Sequence, residues 1–366
     1  MPGIGGTTSV SGHRQTDEDA RHDGAFGKMG LVTVTEVAAA GMERPRRPRR
    51  IVKRIAKVAG ITIVALAVAV TAASFGYDLA TDGPAPRPAH LLFASGGGWD
   101  TRYLEWGTRG TPVVLVPGAF ETADTFAALG PVLAKAGQGH RVFAIDLSGT
   151  GYSAPNPPFS ATHLAAQILA FLKARNLRDP ILVGHSAGAA DVGMAAIQDP
   201  NVVGGVVFLD GDATPLSAPS FFGALVSILF VNPYKTSAIR LALSQSWLVK
   251  DLYDSQCGPT CPALDANQVD VWRWPLEQPG FEAELTYSMR YGITAMTPAQ
   301  FAALRGTDVP KRVVFGVDDP QMSHADAVAT ARRIGAPPPV YVPGRHLTMI
   351  AAPHQVAAAI DALASR

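Results

Sequence analysis

The chain predicts an α/β fold: a mostly parallel, doubly wound sheet carrying one long helical insertion and preceded by an N-terminal transmembrane helix. Three observations predict it. From Thr111 onward, short runs of Val, Ile, Leu and Phe alternate with helical patterns of ten or more residues. Such alternation marks parallel strands covered on both faces. It stops after Asp210 and resumes only at Lys311. Far upstream, an uncharged run, Val58–Tyr77, follows directly on a stretch of cations.

At 366 residues the chain can hold one large domain with some length left over. Its hydrophobic content of 47% is that of a protein with a full core. A net charge of +1 gives no reason to expect nucleic acid as a partner. The cations are concentrated instead in a flank spanning 44–57, RPRRPRRIVKRIAK, which has no acid in it. As a helix, the 58–77 run that follows would be about 30 Å long, the thickness of a bilayer's hydrocarbon core. Basic residues on its N-terminal side should hold that end in the cytoplasm and send the rest of the chain outside. The run exceeds a usual signal-peptide core, so an anchor held in membrane lipid is expected. Small residues near Val70-Thr71-Ala72 leave secretion after cleavage as the alternative. Residues 1–43 lack a sustained apolar period and are expected to be disordered. Either Met1 or Met42, just ahead of the flank, could start the chain. The Pro-rich stretch 78–90 predicts an extended spacer, and residues 91–366 predict the folded domain.

Within that domain the elements follow in order. TPVVLV from Thr111 predicts a buried strand, and ETADTFAALGPVLAKAG a helix with Phe126, Leu129 and Leu133 on one face. Arg141–Ile145 predicts a second strand running into the Gly-rich loop DLSGTGYS. Next come a helix with Leu164, Ile168, Phe171 and Leu172 at helical spacing, a strand in PILVG, a helix in AGAADVGMAAIQD and a strand ending at Asp210. After the insertion, KRVVFGVDD, SHADAVATARRIG, PPVYVPG and the segment from Pro353 predict strand, helix, strand and helix.

The chemistry gathers around Gly184-His185-Ser186-Ala187-Gly188. Ser186 stands one residue past an apolar strand and at the start of a helix, the setting of a nucleophile elbow. The turn needs strained backbone angles, and Gly184 and Gly188 keep side chains out of a crowded corner. The helix from Ala187 aims its free N–H groups and positive end at the place where an oxyanion would form. A serine hydroxyl needs a base, itself oriented by an acid, in the chain order Ser, Asp or Glu, His. His346 follows the last strand. For the acid, Asp318 and Asp319 follow the preceding strand, while Asp210 and Asp212 follow the strand before the insertion.

These marks (GHSAG, the loop DLSGTGYS, GVDDP and HLTMIAAP) resemble the α/β-hydrolase superfamily over roughly Tyr103 to Ala364. The resemblance implies Ser186 as nucleophile, His346 as general base and Asp319 as the acid, with Asp210, Asp212 and Asp318 as alternatives. It also implies an oxyanion hole from the backbone N–H groups of Ala119 and Ala187. The family usually has His-Gly where this chain has Pro117-Gly118. It further implies an esterase acting without a cofactor; the apolar stripes of the insertion point to a hydrophobic ester as its substrate. Peptide, thioester, lactone or C–C hydrolysis and perhydrolysis are the other chemistries of the same triad.

The insertion, 214–308, is expected to form a helical lid. Three apolar stripes support this: Phe221, Phe222, Leu225, Ile228 and Leu229; Ile239, Ala242, Leu243 and Trp247; Phe281, Leu285 and Met289. Cys257 and Cys261, in CGPTC, are the only cysteines and are expected to pair outside the cell. His185 is expected to pack beside the elbow, and Asp146 to hold its Gly-rich loop. His140, His163, His324 and His354 are expected to be solvated. None shows ligand spacing, so no metal is expected.

Overall fold

The computed structural model describes residues 49–83, 85–137, 139–215 and 231–364. The expected tail at 1–43, the first residues of the basic flank and the Phe221–Leu229 stripe lie outside them. Two units emerge, residues 1–61 and 62–366.

Helix α1, Arg49–Ala80, begins within the expected flank and runs three residues into the expected spacer. Lys, Arg and Ala favour helix; Gly60 and Gly76 are carried within it, and Gly83 follows three residues past its end. Among the described residues it alone is long and apolar enough to cross a membrane. Most of its side chains stand open, with Ile63 at 68% and Leu66 at 63% exposure.

The second unit is built on an eight-stranded sheet in the order β1-β2-β4-β3-β5-β6-β7-β8. Strands β1 (Leu92–Gly96) and β2 (Trp99–Trp106) form a hairpin that the sequence reading missed. Its two-residue turn is Gly97-Gly98, both at positive φ, a geometry that suits the twist of paired strands. β2 pairs antiparallel with β4 (His140–Ile145). β4 then pairs parallel with β3 (Thr111–Val116), which is followed by β5 (Ile181–His185), β6 (Gly205–Leu209), β7 (Lys311–Gly316) and β8 (Val340–Val342).

The central strands are buried on both faces, so they read as unbroken apolar runs rather than alternating ones. One core layer sets Phe143, Phe171, Leu182, Phe208 and Phe315 against helices. The other sets Leu115, Phe126, Leu133, Val207 and Ile360 together on the opposite face. The helix expected after β3 is interrupted: a 3₁₀ turn covers Ala123–Phe126 and α2 only Leu129–Leu133. Thr122 caps the first turn, and Pro131 has no N–H with which to continue the ladder from it.

Helices α3 (Ala161–Ala174) and α4 (Gly188–Gln198) follow, as expected. Between β6 and β7 the chain forms α5 (Tyr234–Leu243), α6 (Ser246–Cys257), α7 (Ala266–Arg273), α8 (Phe281–Tyr291) and α9 (Pro298–Arg305). The expected stripe Ile239–Trp247 is split, because α5 ends at Leu243 and Trp247 belongs to α6, 60% exposed. Cys257 ends α6 and is bonded to Cys261. Helices α10 (His324–Ile334), α11 (Thr348–Ala351) and α12 (Pro353–Ala364) complete the chain.

Candidate active site

Every β3-to-β7 strand delivers its C-terminal end to one edge of the sheet, and the candidate residues collect there. Ser186 follows β5 at φ 49°, in the left-handed region that a non-glycine residue rarely enters. Its N–H donates to Leu209 O at 2.9 Å, which ties the corner to the end of β6. No side chain fits around it. A Cβ on Gly184 would stand 2.2 Å from Gly188 O, one on Gly188 2.4 Å from Pro117 O, and one on Gly211 2.2 Å from Ser186 O. A Cβ on Gly118 would lie 2.9 Å from the Ser186 Cβ, so the loop carrying Ala119 runs directly beside the serine. Ala187 starts the turn into α4.

His346 Nε2 lies 3.0 Å from Ser186 Oγ, and its Nδ1 lies 2.8 Å from Asp319 Oδ2. A carboxylate can only accept, so Nδ1 carries the proton and Nε2 is free to accept from the serine hydroxyl. The other Asp319 oxygen accepts from the N–H groups of Gln321 at 2.7 Å and Met322 at 3.2 Å, which fixes the carboxylate's orientation. The other acids are engaged elsewhere. Asp210 accepts from Gly316 N at 2.8 Å and from the Thr348 hydroxyl, bracing the ends of β6 and β7. Burial pushes it up to about 6, against the opposing pull of His185 and His346. Asp212 accepts from Thr214 N and Oγ1 at 2.9 and 2.6 Å. Asp318 is exposed.

Two clusters escaped the sequence reading. His185, fully buried, has acceptor oxygens on both ring nitrogens: Glu121 Oε2 at 2.7 Å from Nδ1 and His346 O at 2.8 Å from Nε2. Only imidazolium can donate to both. Burial disfavours that charge, but the Glu121 carboxylate outweighs it and lifts His185 to about 9. Glu121 also accepts from Gly118 N at 3.0 Å. One buried ion pair therefore links the loop bearing Ala119, the elbow and the loop bearing His346. No local pattern announces it, because its members lie 64 and 161 residues apart.

The second cluster joins α4 to the insertion. Asp191 is 1% exposed and its Oδ1 has no partner; Glu284 Oε2, on α8, is likewise buried and unpartnered. Burial, then the nearby Glu284, raises Asp191, and burial alone pushes Glu284 up to about 8. Around them α8 packs against two loops. Phe281 meets Phe120 edge-on at 5.8 Å, and Tyr287 meets Phe159 in the same way at 5.8 Å.

Asp146 holds its Gly-rich loop through Tyr152 N at 2.8 Å and also accepts from Ala123 N and buried Arg102. His324 and His354 are exposed. His140 is not solvated, contrary to expectation: it is 2% exposed and pairs with Asp361 at 3.1 Å, because α12 folds back over the start of β4. His163 is half-buried, its ring 4.8 Å from that of Trp99 and its Nε2 buried.

Residues 113–359 match the family model described as the alpha/beta hydrolase family. A 2-hydroxy-6-oxo-6-(2'-aminophenyl)hexa-2,4-dienoic acid hydrolase of Metapseudomonas resinovorans is 23% identical over 231 residues, 62% of this chain and 74% of the relative. Among solved structures, a serine hydrolase involved in carbazole degradation superposes with a TM-score of 0.60 at 22% identity, covering 75% of this chain and 98% of that one. A membrane phospholipase A superposes at 0.58 with 18% identity, covering 86% and 96%. At such identities the structural likeness speaks for the fold.

Glu284 keeps its proton up to about pH 8 in the folded chain but loses it near the ordinary value of 4.5 when unfolded. Between those values the unfolded state binds fewer protons, so stability falls as pH rises, by on the order of a few kcal/mol. Glu284→Gln should remove that decline. Thermal midpoints of variant and parent are expected to converge near pH 5 and to separate in the variant's favour by pH 8. Parallel curves would show that Glu284 is not held protonated.

Proposed function

The chain belongs to the alpha/beta hydrolase family, and from that premise we propose that it is a serine hydrolase cleaving carboxylic esters through an acyl-enzyme. In this reading it is anchored by α1 with the catalytic unit outside the cell. The reading is supported above all by one observation, the hydrogen-bonded line from Ser186 Oγ through His346 to Asp319.

Ser186 Oγ attacks the substrate carbonyl carbon while its proton passes to His346 Nε2. Asp319, ionised throughout, holds the Nδ1 proton and stabilises the imidazolium. The carbonyl oxygen, now an oxyanion, is received by the N–H groups of Ala119 and Ala187, one such donor being worth a factor of about 10² to 10³ in rate. The intermediate collapses, and the alcohol leaves with the proton from His346. Water then attacks the acyl-serine with His346 again as base. The C–O bond to Ser186 breaks, the hydroxyl recovers its proton, and the acid departs. The helices between β6 and β7 act as a lid, supported by the contacts of Phe281 and Tyr287 near the loops that frame the serine. A dry, apolar roof strengthens each electrostatic contact beneath it and favours hydrophobic acyl groups. Glu121 and His185 are positioning residues that hold the Ala119 loop and the His346 loop in register.

A fluorophosphonate probe should label the full chain and fail to label Ser186→Ala. Hydrolysis of p-nitrophenyl esters should fall at least about 10³-fold in that variant and about 10² to 10⁴-fold in Asp319→Asn. Equal labelling of Ser186→Ala would instead point to a hydrolase-like binding module.

For Glu121→Gln we expect kcat to fall about ten- to hundredfold with KM little changed, since small misplacements of reacting groups act at the transition state. Unchanged kcat would remove Glu121 from the site's framework.

A further inference from the structure

Thr71, Ser74 and Asp78, near the C-terminal end of α1, hydrogen-bond to the insertion. Thr71 Oγ1 and Tyr234 Oη lie 2.6 Å apart, and Ser74 Oγ and Ser237 Oγ 2.6 Å apart. Ser237 Oγ also reaches Asp78 Oδ1 at 2.6 Å, and Arg240 donates to Asp78 O at 2.7 Å and to Thr81 Oγ1 at 2.9 Å. Ser74 is only 8% exposed and Thr71, Tyr77 and Asp78 are half-buried, on a helix whose side chains from Ile51 to Val70 are open. The first turns of α5 thus grip α1 between Thr71 and Thr81.

That grip fixes a depth. If the bilayer ended below Thr71, the apolar run would shrink to Val58–Val70, about 20 Å of helix where about 30 Å is needed. Thr71 therefore lies within the span, six residues or about 9 Å below Tyr77. Amphipathic helices that lie along a membrane surface sink about 5–10 Å into the headgroup and acyl boundary. Tyr234 is thereby held at the depth where tyrosine and tryptophan concentrate in membranes. Hydroxyls at that depth have little water to turn to, and Tyr234 and Ser237 provide partners for Thr71 and Ser74.

The apolar surface beyond the grip fits the same position. Leu241 follows Tyr234 and Ser237 at helical spacing and is 55% exposed. On α6, next in the chain, Trp247 is 60%, Leu248 40% and Leu252 62% exposed. We propose that α5 and α6 form a lipid-facing surface, pinned to the transmembrane helix by the Thr71–Tyr234 and Ser74–Ser237 hydrogen bonds and sunk into the outer-leaflet interface. The pinning is part of the fold, so the insertion does not need to find the membrane. The site accordingly draws its substrates from the bilayer: esters whose acyl chains rest among lipid tails. This inference rests on α1 being a membrane anchor and on the hydrolase reading above.

The test uses the full chain in phosphatidylcholine nanodiscs, with and without bromine on the lipid acyl chains. Brominated lipid should quench a component of the tryptophan fluorescence that disappears in Trp247→Phe. Equal quenching in the two proteins would overturn the proposal. Extraction of membrane-expressed protein by alkaline carbonate separates the two failures. Release of the chain would overturn the anchor and this inference together, whereas a retained chain with an unquenched Trp247 would sink the inference alone. A Leu241→Glu/Leu252→Glu variant, far from Ser186 in the chain, supplies a second readout. It should lose about tenfold in hydrolysis of a long-chain ester embedded in the disc, roughly the penalty of holding two carboxylates against lipid. Its rate on water-soluble p-nitrophenyl acetate should stay that of the parent. A variant as fast as the parent on the embedded ester would overturn the proposal.

Discussion

Space for a side chain is missing all around Ser186. Four glycines, at 118, 184, 188 and 211, each border positions where a Cβ would strike backbone or the serine itself. Without them β5 could not turn into α4 within two residues, and the serine would not be held at φ 49° with its hydroxyl raised off the sheet. An unfavourable backbone angle of this kind persists only where its surroundings leave no alternative. Here they do, since the serine's own N–H is bonded to the end of β6.

The corner would be useless if the neighbouring loops drifted. Three of them are held by charge buried beneath the site as well as by apolar packing. Glu121 and His185 span two, and the second nitrogen of His185 reaches the backbone of the third. Asp210 does similar work between the ends of β6 and β7 and the turn at Thr348. A buried ion pair contributes little net stability, because removing two ions from water offsets most of their attraction. What it contributes is a single allowed arrangement, and the backbone placement around Ser186 is of that kind.

Much of the fold was legible because its strands are buried on both faces. TPVVLV, ILVGH and GVVFL appear as unbroken apolar runs, and the helices between them show clean helical periods. The hairpin at Leu92–Trp106 was missed because it lies at the edge. Its first strand is largely exposed, so hydrophobicity says little, and the Gly97-Gly98 turn was its only loud signal. The interrupted helix after β3 was hidden in the same way, since Pro131 breaks a pattern whose apolar spacing continues past it.

For the site, the chain order and the strand ends were enough to nominate Ser186, His346 and a short list of acids. Those features are local: a glycine-flanked turn, a strand's end, a histidine after the last strand. Which acid faces the imidazole was not local. Asp318 and Asp319 are adjacent in sequence, and the turn after β7 points one into water and buries the other against His346. The Glu121–His185 pair, the Asp191–Glu284 pair and the grip of α5 on α1 arise from segments dozens to more than a hundred residues apart. Linear order carries no distance between such segments, so only the packed chain could bring those charges and hydroxyls together.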